Sequence, residues 1–246
     1  MDTDPQQSRE NIVHRAEDAA EHAERHLPSW LRPGDPESRW PVLLALVAAI
    51  VFQRMIPERY TLVPRWPLIS LEIALVVLLL VLNPVRLTRS TITGKYASWV
   101  LLAAIAVDNT LSAFDLDRHI LSGEVSNDAS VLLGSGAAVF VTNIIVFGIW
   151  FWELDRGGPF ARHAGENPYP DFMFPQMSGV PGQVARPDWR PTFVDYLYVS
   201  ITNVMAFSPT DTMPMSPRAK ILMTVQAGVA VSTLVLVVAR AVNVLK

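Results

Sequence analysis

The sequence has no cysteine among its 246 residues, which excludes disulfide bonds, thiolate nucleophiles and cysteine metal sites. Charged residues are also few, at 17%, and the formal net charge of -3 provides no basic surface for a nucleic acid, so we expect no nucleic-acid partner. The five histidines are scattered without metal-ligand spacing, and there is neither a Ser-His-Asp set nor a glycine-rich phosphate loop. We therefore expect no enzymatic activity, no metal site and no cofactor.

Apolar residues, by contrast, are abundant and gathered into runs. They make up 50% of the chain, and the mean hydropathy is +0.27. The runs approach the roughly 20 residues that a helix needs to cross about 30 Å of hydrocarbon. They cover about Trp40 to Ile56, Pro67 to Val85, Tyr96 to Ala113, Ser130 to Trp152 and Ile221 to Val244. The sequence thus predicts an all-α, multi-pass protein of the cell membrane with four to five transmembrane helices, of which the first spans only if it is little tilted.

The chain divides into three predicted regions. Residues 1–39 are polar, with a helix over Gln6 to His26, and residues 40–128 hold the first membrane helices. Residues 129–246 form a module of an outer helix, a proline-rich stretch, a short apolar segment and a last helix. The proline density of residues 157–191 predicts no regular structure there. Residues 192–206 are too short to cross a bilayer and precede irregular residues 207–217, which predicts a re-entrant helix and loop.

Residues 197–217 read LYVSITNVMAFSPTDTMPMSP. This stretch resembles, without a gap, the pore loop of tetrameric potassium channels of the two-helix pore type. Their pattern is an L-Y-F-S pore helix, then T-x-G-Y-G-D, then a P-x-[ST] step into the inner helix. The matching residues are Leu197, Tyr198, Ser200, Asp211, Pro214, Ser216 and Pro217. The resemblance implies a homotetramer in the lipid bilayer, a permeant cation as its partner, and an inner helix that begins near Ile221.

The two glycines of the family's filter are missing, because the T-V-G-Y-G stretch falls on Ala206-Phe207-Ser208-Pro209-Thr210. Glycine permits the backbone angles that turn successive carbonyls inward, whereas Pro209 fixes its own angle. We therefore expect a wider constriction lined by hydroxyl groups, with Asp211 forming a ring of carboxylates that favours cations over anions. The predicted pore-lining residues are Thr202, Ala206, Phe207, Ser208, Pro209, Thr210, Asp211 and Thr212. Residues 207–217 also fit a simple turn, in which Asp211 or Ser216 caps the last helix.

Four polar side chains are predicted to lie inside or near the apolar spans: Glu72, Asp108, Asn143 and Gln226. A central charge costs about 2.5 to 3.5 kcal/mol unless it is paired or hydrated. For Glu72 we expect a salt bridge at the membrane boundary, with Arg65 or Arg86. Asp108, towards the end of its helix, is expected at the interface or in a hydrogen bond between helices, and Asn143 and Gln226 are expected to bond each other.

Aromatic residues mark the end of the fourth apolar run. Phe147, Trp150, Phe151 and Trp152 are followed at once by charged residues, which is typical of a helix leaving the membrane through an aromatic belt. Tyr196 and Tyr198 are placed to brace the pore loop.

The charges of two linkers predict how the chain is oriented in the membrane. The linker from Arg86 to Lys95 is basic and the linker from Asp115 to Asp128 is acidic, so the positive-inside rule places the first in the cytoplasm. The pore resemblance requires the reverse orientation, and the sequence-based expectation follows the resemblance. The predicted function is a channel-like protein that passes cations with low or non-potassium selectivity. The alternatives are a non-conducting membrane scaffold or partner protein that keeps the channel fold, and a secondary transporter that uses Glu72.

Overall fold

The computed structural model describes residues 27–35, 37–38, 40–58, 65–82, 92–123, 129–178, 186–206 and 211–244. In chain order these hold helices α1 (Trp40–Met55), α2 (Arg65–Leu82), α3 (Ile92–Ser122), α4 (Ala129–Leu154) and α5 (Pro159–Ala164), strand β1 (Phe172–Met173), helix α6 (Phe193–Met205), strand β2 (Met213–Pro214) and helix α7 (Pro217–Val244). The predicted helix over Gln6 to His26 lies outside the described residues.

Three helices are long and apolar enough to cross a membrane. Within the described ranges they are Tyr96–Ser122, Ser130–Ala164 and Pro217–Asn243, while α1 and α2 contain shorter apolar helices. The prediction of a mostly helical membrane protein is confirmed at this level. The count of four to five transmembrane helices and the re-entrant helix remain predictions.

The outer faces of these helices are apolar, as a lipid environment requires. Leu44 and Val51 of α1, Val107 of α3, and Val235 and Val238 of α7 are all exposed. In a water-soluble protein so much apolar surface would favour aggregation, whereas hydrocarbon chains solvate it.

Helix α4 occupies the centre and packs against α1, α3, α6 and α7. It runs antiparallel to α7, because Gly136 near its start lies beside Val237 near the end of α7. At one end of the bundle, Leu132 of α4 packs with Ile56, Leu116 and Val237, and we call this the hairpin end. At the opposite end, Trp152 of α4 contacts Phe193 at the start of α6, and we call this the loop end.

The proline-rich stretch is more regular than predicted. Helix α5 begins at Pro159, where the missing N–H of proline costs nothing because the first turn has no intrahelical acceptor for it. Strand β1 pairs antiparallel with β2, with Phe172 opposite Pro214 and Met173 opposite Met213. The prediction that residues 157–191 lack regular structure is therefore wrong for this part, because the prolines fall at element starts rather than inside the elements.

The predicted regions 40–128 and 129–246 share one core. A single hydrophobic cluster joins Leu46 of α1 and Leu101 of α3 to Phe147 of α4 and Tyr196 of α6. Helix α3 also extends well beyond the predicted end at Ala113, to Ser122. Asp108 therefore lies in the middle of its helix rather than towards the end.

The close crossing of α4 and α7 generates a prediction about Gly136. A Cβ atom there would lie 2.7 Å from a methyl group of Val237, whereas a Cβ at Gly134 on the same helix would meet nothing within 4 Å. We expect Gly136→Val to destabilise the protein by about 1 to 3 kcal/mol, because a β-branched side chain cannot be inserted without moving the helices apart. Thermal unfolding in detergent, followed by tryptophan fluorescence, measures the loss. Gly134→Val is the matched control, and equal unfolding temperatures for the two variants would contradict the close crossing.

Candidate functional site

The site that the pore resemblance identifies begins with the start of α6. Thr192 precedes the helix in extended geometry, and its backbone N–H and its hydroxyl both donate to Asp195 Oδ2, at 2.7 and 2.9 Å. These bonds close a capping box, in which the Asp195 carboxylate also lies near the positive end of the helix. Pro191 comes just before the cap. This local chemistry fixes where the short helix begins.

One face of α6 is buried in the bundle. Its buried residues are Phe193, Tyr196, Val199, Ser200, Asn203 and Val204. This spacing of three or four residues puts them on a single helical stripe. Gly148 of α4 permits the close approach, since a Cβ there would lie 3.2 Å from the Cα atom of Leu197.

Hydrogen bonds of polar side chains hold the C-terminal half of α6 against α4 and α7. The Ser200 hydroxyl donates to the carbonyl of Ile144 at 2.6 Å. The Gln226 amide of α7 donates to Ser200 Oγ at 2.6 Å, and its carbonyl oxygen accepts from Asn203 Nδ2 at 2.8 Å. Asn203 Nδ2 also donates to the carbonyl of Met223 at 3.0 Å. We call these three side chains, Ser200, Asn203 and Gln226, the amide network.

The expected bond between Asn143 and Gln226 is absent, so that prediction is wrong. Gln226 is occupied by Ser200 and Asn203, because α6 packs against both α4 and α7 at this level. Asn143 is buried, and its amide has no hydrogen-bond partner within the described residues.

After α6 the chain comes back to the loop end. The N–H of Met215 donates to the carbonyl of Asp171 at 2.8 Å, next to the β1–β2 pair. Ser216 Oγ then accepts from the N–H of Ala219 at 3.2 Å. Ser216 therefore caps α7, as the turn interpretation of residues 207–217 predicted.

The predicted pore-lining residues have different surroundings. Ala206 and Asp211 are exposed, whereas Thr212 is 2% exposed and is buried inside the chain's own fold. The Thr202 hydroxyl donates to the carbonyls of Tyr198 and Val199 in its own helix, at 3.0 and 3.1 Å. Phe207, Ser208, Pro209 and Thr210 lie outside the described residues.

Sequence reasoning missed a cluster of buried charges at the loop end. Arg162 of α5 is 5% exposed and forms a 2.9 Å ion pair with Glu37 from the amino-terminal segment. Arg162 also donates to the carbonyls of Trp152 and Asp155, at 2.7 and 2.9 Å, and its guanidinium lies over the Tyr196 ring. A cluster that spans more than a hundred residues leaves no local sequence signal beyond the charges that follow the aromatic run.

Asp155 connects this cluster to strand β1 and helix α6. Its Oδ1 accepts from the N–H groups of Asp171 and Phe172, at 2.7 and 3.1 Å, and its Oδ2 accepts from the Tyr196 hydroxyl at 2.6 Å. Burial raises the pKa of the Tyr196 hydroxyl well above its ordinary value, so the phenol stays protonated and keeps donating. Tyr196 therefore braces the module, whereas Tyr198 is exposed.

The next residue, Arg156, takes a left-handed backbone conformation with a φ of 54°. Its N–H donates to Asp171 Oδ2 at 3.1 Å and its Nε donates to the carbonyl of Asn167 at 2.6 Å. Its guanidinium also donates to the carbonyl of Trp30 and lies over the Trp30 ring. We call Glu37, Asp155, Arg156 and Arg162 the loop-end anchor, because they tie the amino-terminal segment to α4, α5 and β1.

The aromatic run at the end of α4 is part of this packing. Phe147, Phe151 and Trp152 are buried, with Phe151 against Phe172 at 5.0 Å between ring centroids. The prediction of an interfacial belt is wrong for these three rings, because they are packed in the hydrophobic core of the bundle rather than facing lipid. Trp150 is partly buried and meets Trp99 edge-on at 6.1 Å.

Glu72 and Asp108 lie away from the pore-like module, on α2 and α3. Gln53 of α1 donates through Nε2 to Asp108 Oδ2 at 2.9 Å, so the predicted hydrogen bond between helices is confirmed for Asp108. Glu72 is fully buried next to both residues. Its predicted partner Arg86 lies outside the described residues, and the side chain of Arg65 is not described either.

The loop-end anchor yields a stability prediction. Glu37→Leu leaves the Arg162 guanidinium buried without its carboxylate, and breaking a buried ion pair in this way costs about 3 kcal/mol. We expect a clearly lower unfolding temperature in detergent, measured by circular dichroism. Arg118→Gln is the control, because the Arg118 side chain is 60% exposed in its 3.4 Å pair with Asp115 and contributes at most about 0.5 kcal/mol. Equal stability of Glu37→Leu and the unmodified protein would show that the anchor is dispensable.

Comparison with known proteins finds no match for the chain. No family model matches the chain, and no curated protein or solved structure matches it. The functional interpretation therefore depends on the residues and contacts described above.

Proposed function

We propose that this protein is a channel-like membrane protein that passes cations, with low or non-potassium selectivity, through the axis of a homotetramer. The observation that carries the proposal is the position of α6 between α4 and α7. Its 13 residues give a helix of about 20 Å, too short to cross the hydrocarbon layer. Its first turn lies beside Trp152 at the loop end, and Asn203 in its last turn lies beside Gln226, two to three turns into α7.

The return of the chain to the loop end supports a re-entrant helix and loop. Residues 171–173 before α6 are bonded to Met213, Pro214 and Met215 after it, so both flanks lie at the same end. Irregular backbone at membrane depth is tolerated only where protein or water surrounds it. In the proposed assembly, neighbouring subunits and an aqueous axis supply those surroundings for residues 206–212.

An open groove beside α6 and α7 supplies a face for the axis. It measures about 740 Å³ and is lined in part by Asn203, Thr224, Gly228 and Ser232. The last three follow each other at intervals of four residues along α7, so they form one stripe of small and hydroxyl-bearing side chains. Such a stripe suits a water-filled lining better than the branched apolar residues on the rest of the α7 surface.

Charge at the constriction comes from Asp211 in this proposal. Asp211 is exposed, and four copies around an axis form a ring that attracts cations. Thr212 contributes no hydroxyl to the lining, because it is buried within its own subunit. Because the two glycines of the potassium filter are missing, we expect no stack of inward carbonyls that distinguishes potassium from sodium.

The decisive experiment is current recording from the purified tetramer in planar bilayers. We expect cation currents with similar potassium and sodium permeabilities, and a loss of cation over anion preference in Asp211→Asn. Asp188→Asn is the matched control, because Asp188 is also an exposed carboxylate but lies before α6. A well-folded tetramer that stays silent at all voltages would favour the non-conducting scaffold, and a monomer would exclude the axial pore.

The path of the helices is tested by single cysteines in this cysteine-free chain. We expect Asp35→Cys and Glu166→Cys, both exposed near the loop-end anchor, to react with an impermeant maleimide from the same side of the membrane. Ser122→Cys at the hairpin end should react from the other side. Reaction of all three from one side would contradict spanning by α4.

The same labelling in intact cells determines the orientation. The loop end carries Arg32, Arg190, Arg218 and Lys220, and basic residues favour the cytoplasm. We therefore expect the loop end to face the cytoplasm, opposite to the orientation that the pore resemblance implies. Passive cation passage is compatible with either orientation, and external labelling of Glu166→Cys would restore the one implied by the resemblance.

A further inference from the structure

Three polar side chains from three different helices meet outside the pore-like module. They are Gln53 of α1, Glu72 of α2 and Asp108 of α3. Gln53 Nε2 donates to Asp108 Oδ2 at 2.9 Å, and the Glu72 carboxyl group lies close enough to interact with both the Gln53 amide and the Asp108 carboxylate. None of the three belongs to the amide network or to the loop-end anchor.

Several oxygens of this cluster lack a donor. Glu72 is 0% exposed and Gln53 is 3% exposed. Both carboxyl oxygens of Glu72 and the Oε1 atom of Gln53 are buried and have no hydrogen-bond partner within the described residues. An ionised carboxylate in such apolar surroundings costs several kcal/mol, and a second carboxylate beside it raises that cost. Among the described residues, the Glu72 oxygens and Gln53 Oε1 therefore have neither a cation nor a hydrogen-bond donor as partner.

The described charged groups around Glu72 do not supply a positive charge to its carboxyl group. On α1, Gln53 is neutral and the neighbouring Arg54 has its guanidinium over the Trp66 ring of α2, at 5.4 Å from the centroid. On α3, Asp108 adds a negative charge. The described side chains that face Glu72 thus make an acidic site bridged by one amide.

We propose that Glu72, Gln53 and Asp108 form a proton-binding site between α1, α2 and α3. A proton on Glu72 removes the buried charge and creates an O–H donor for Gln53 Oε1, which has no other donor among the described residues. Gln53 then donates to the Asp108 carboxylate and accepts from the Glu72 carboxyl group, so a single proton satisfies the bridge. Asp108 itself is only partly buried.

This proposal is independent of the pore. The bound species is a proton, which adds no bulk and needs no preformed cavity. Its release leaves the charged carboxylates of Glu72 and Asp108 to repel each other across the α2–α3 interface, so occupancy changes the stability of that interface. A site of this kind lets the membrane helices respond to pH or carry protons, independently of whether residues 206–212 conduct cations.

Infrared difference spectroscopy of the protein in lipid nanodiscs tests the site. We expect a carbonyl stretching band of a protonated carboxylic acid that titrates with pH and disappears in Glu72→Gln. Asp117→Asn is the matched control, because Asp117 is also a buried carboxylate of α3 but lies towards the hairpin end, and it should leave that band in place. Persistence of the band in Glu72→Gln would overturn the proposal.

A second variant keeps the test valid if Glu72→Gln fails to fold. Asp108→Asn removes the neighbouring negative charge but keeps the shape of the side chain. We expect the pH midpoint of the Glu72 band to fall by about one unit, since a neutral neighbour disfavours protonation relative to a charged one. An unchanged midpoint would mean that the two carboxyl groups do not interact.

Loss of the band when sodium replaces a bulky organic cation at constant pH would assign the site to a metal ion and overturn the proton assignment.

Discussion

The hydrogen bonds between Gln226 and α6 are the interaction on which the packing of α6 against α4 and α7 depends. In an apolar bundle there is no water to satisfy the amide of Gln226, so its hydrogen bonds must come from Ser200 and Asn203. Each such bond between membrane helices contributes only about 0.6 kcal/mol on average. Leaving the buried amide unpaired costs more than that, so the network acts mainly by excluding other positions of α6.

The loop-end anchor complements this network from the other end of α6. The network holds the last turns of α6 against α7, while Tyr196 in the first turn donates to Asp155. Asp155 in turn binds the backbone of β1, which pairs with β2 just before α7 begins. The two flanks of the loop are therefore fixed to the same rigid group, and the chain between α6 and α7 is held at both ends.

The acidic site between α1, α2 and α3 differs from the amide network in how its polar groups are paired. The amide network satisfies its polar groups with each other, whereas Glu72 and Gln53 keep acceptor atoms unpaired. Buried polar groups that a bundle leaves unpaired are expensive and are usually functional in membrane proteins. Helices α6 and α7 are thus held in a fixed geometry, whereas the polar groups between α1, α2 and α3 are completed by a proton. The central helix α4 packs against both groups, through α3 and through α6.

Much of the helical framework follows from the sequence alone, for a simple physical reason. Backbone polar groups inside hydrocarbon must bond within their own segment, so a long apolar run such as 130–152 can only be a helix. The short helix at 193–205 was predicted too, because residues 192–206 are apolar but too short to cross a bilayer and the residues after them break the pattern, and in the structure Thr192 and Asp195 cap it locally. The short elements in the proline-rich stretch were not, since β1 exists only through its pairing with β2, forty residues away.

What only the tertiary structure decided is which polar groups meet. The sequence shows that Asn143, Gln226, Glu72 and Asp108 lie in apolar surroundings and need partners, but their partners lie on other helices. Helix packing assigned Gln226 to Ser200 and Asn203, left Asn143 without a hydrogen-bond partner within the described residues, and brought Gln53 between the two acids. Apolar length is a property of each segment, so sequence determines it; partnership depends on the rotation and depth of neighbouring helices, which contacts such as Gly136 against Val237 and Gly148 against Leu197 set.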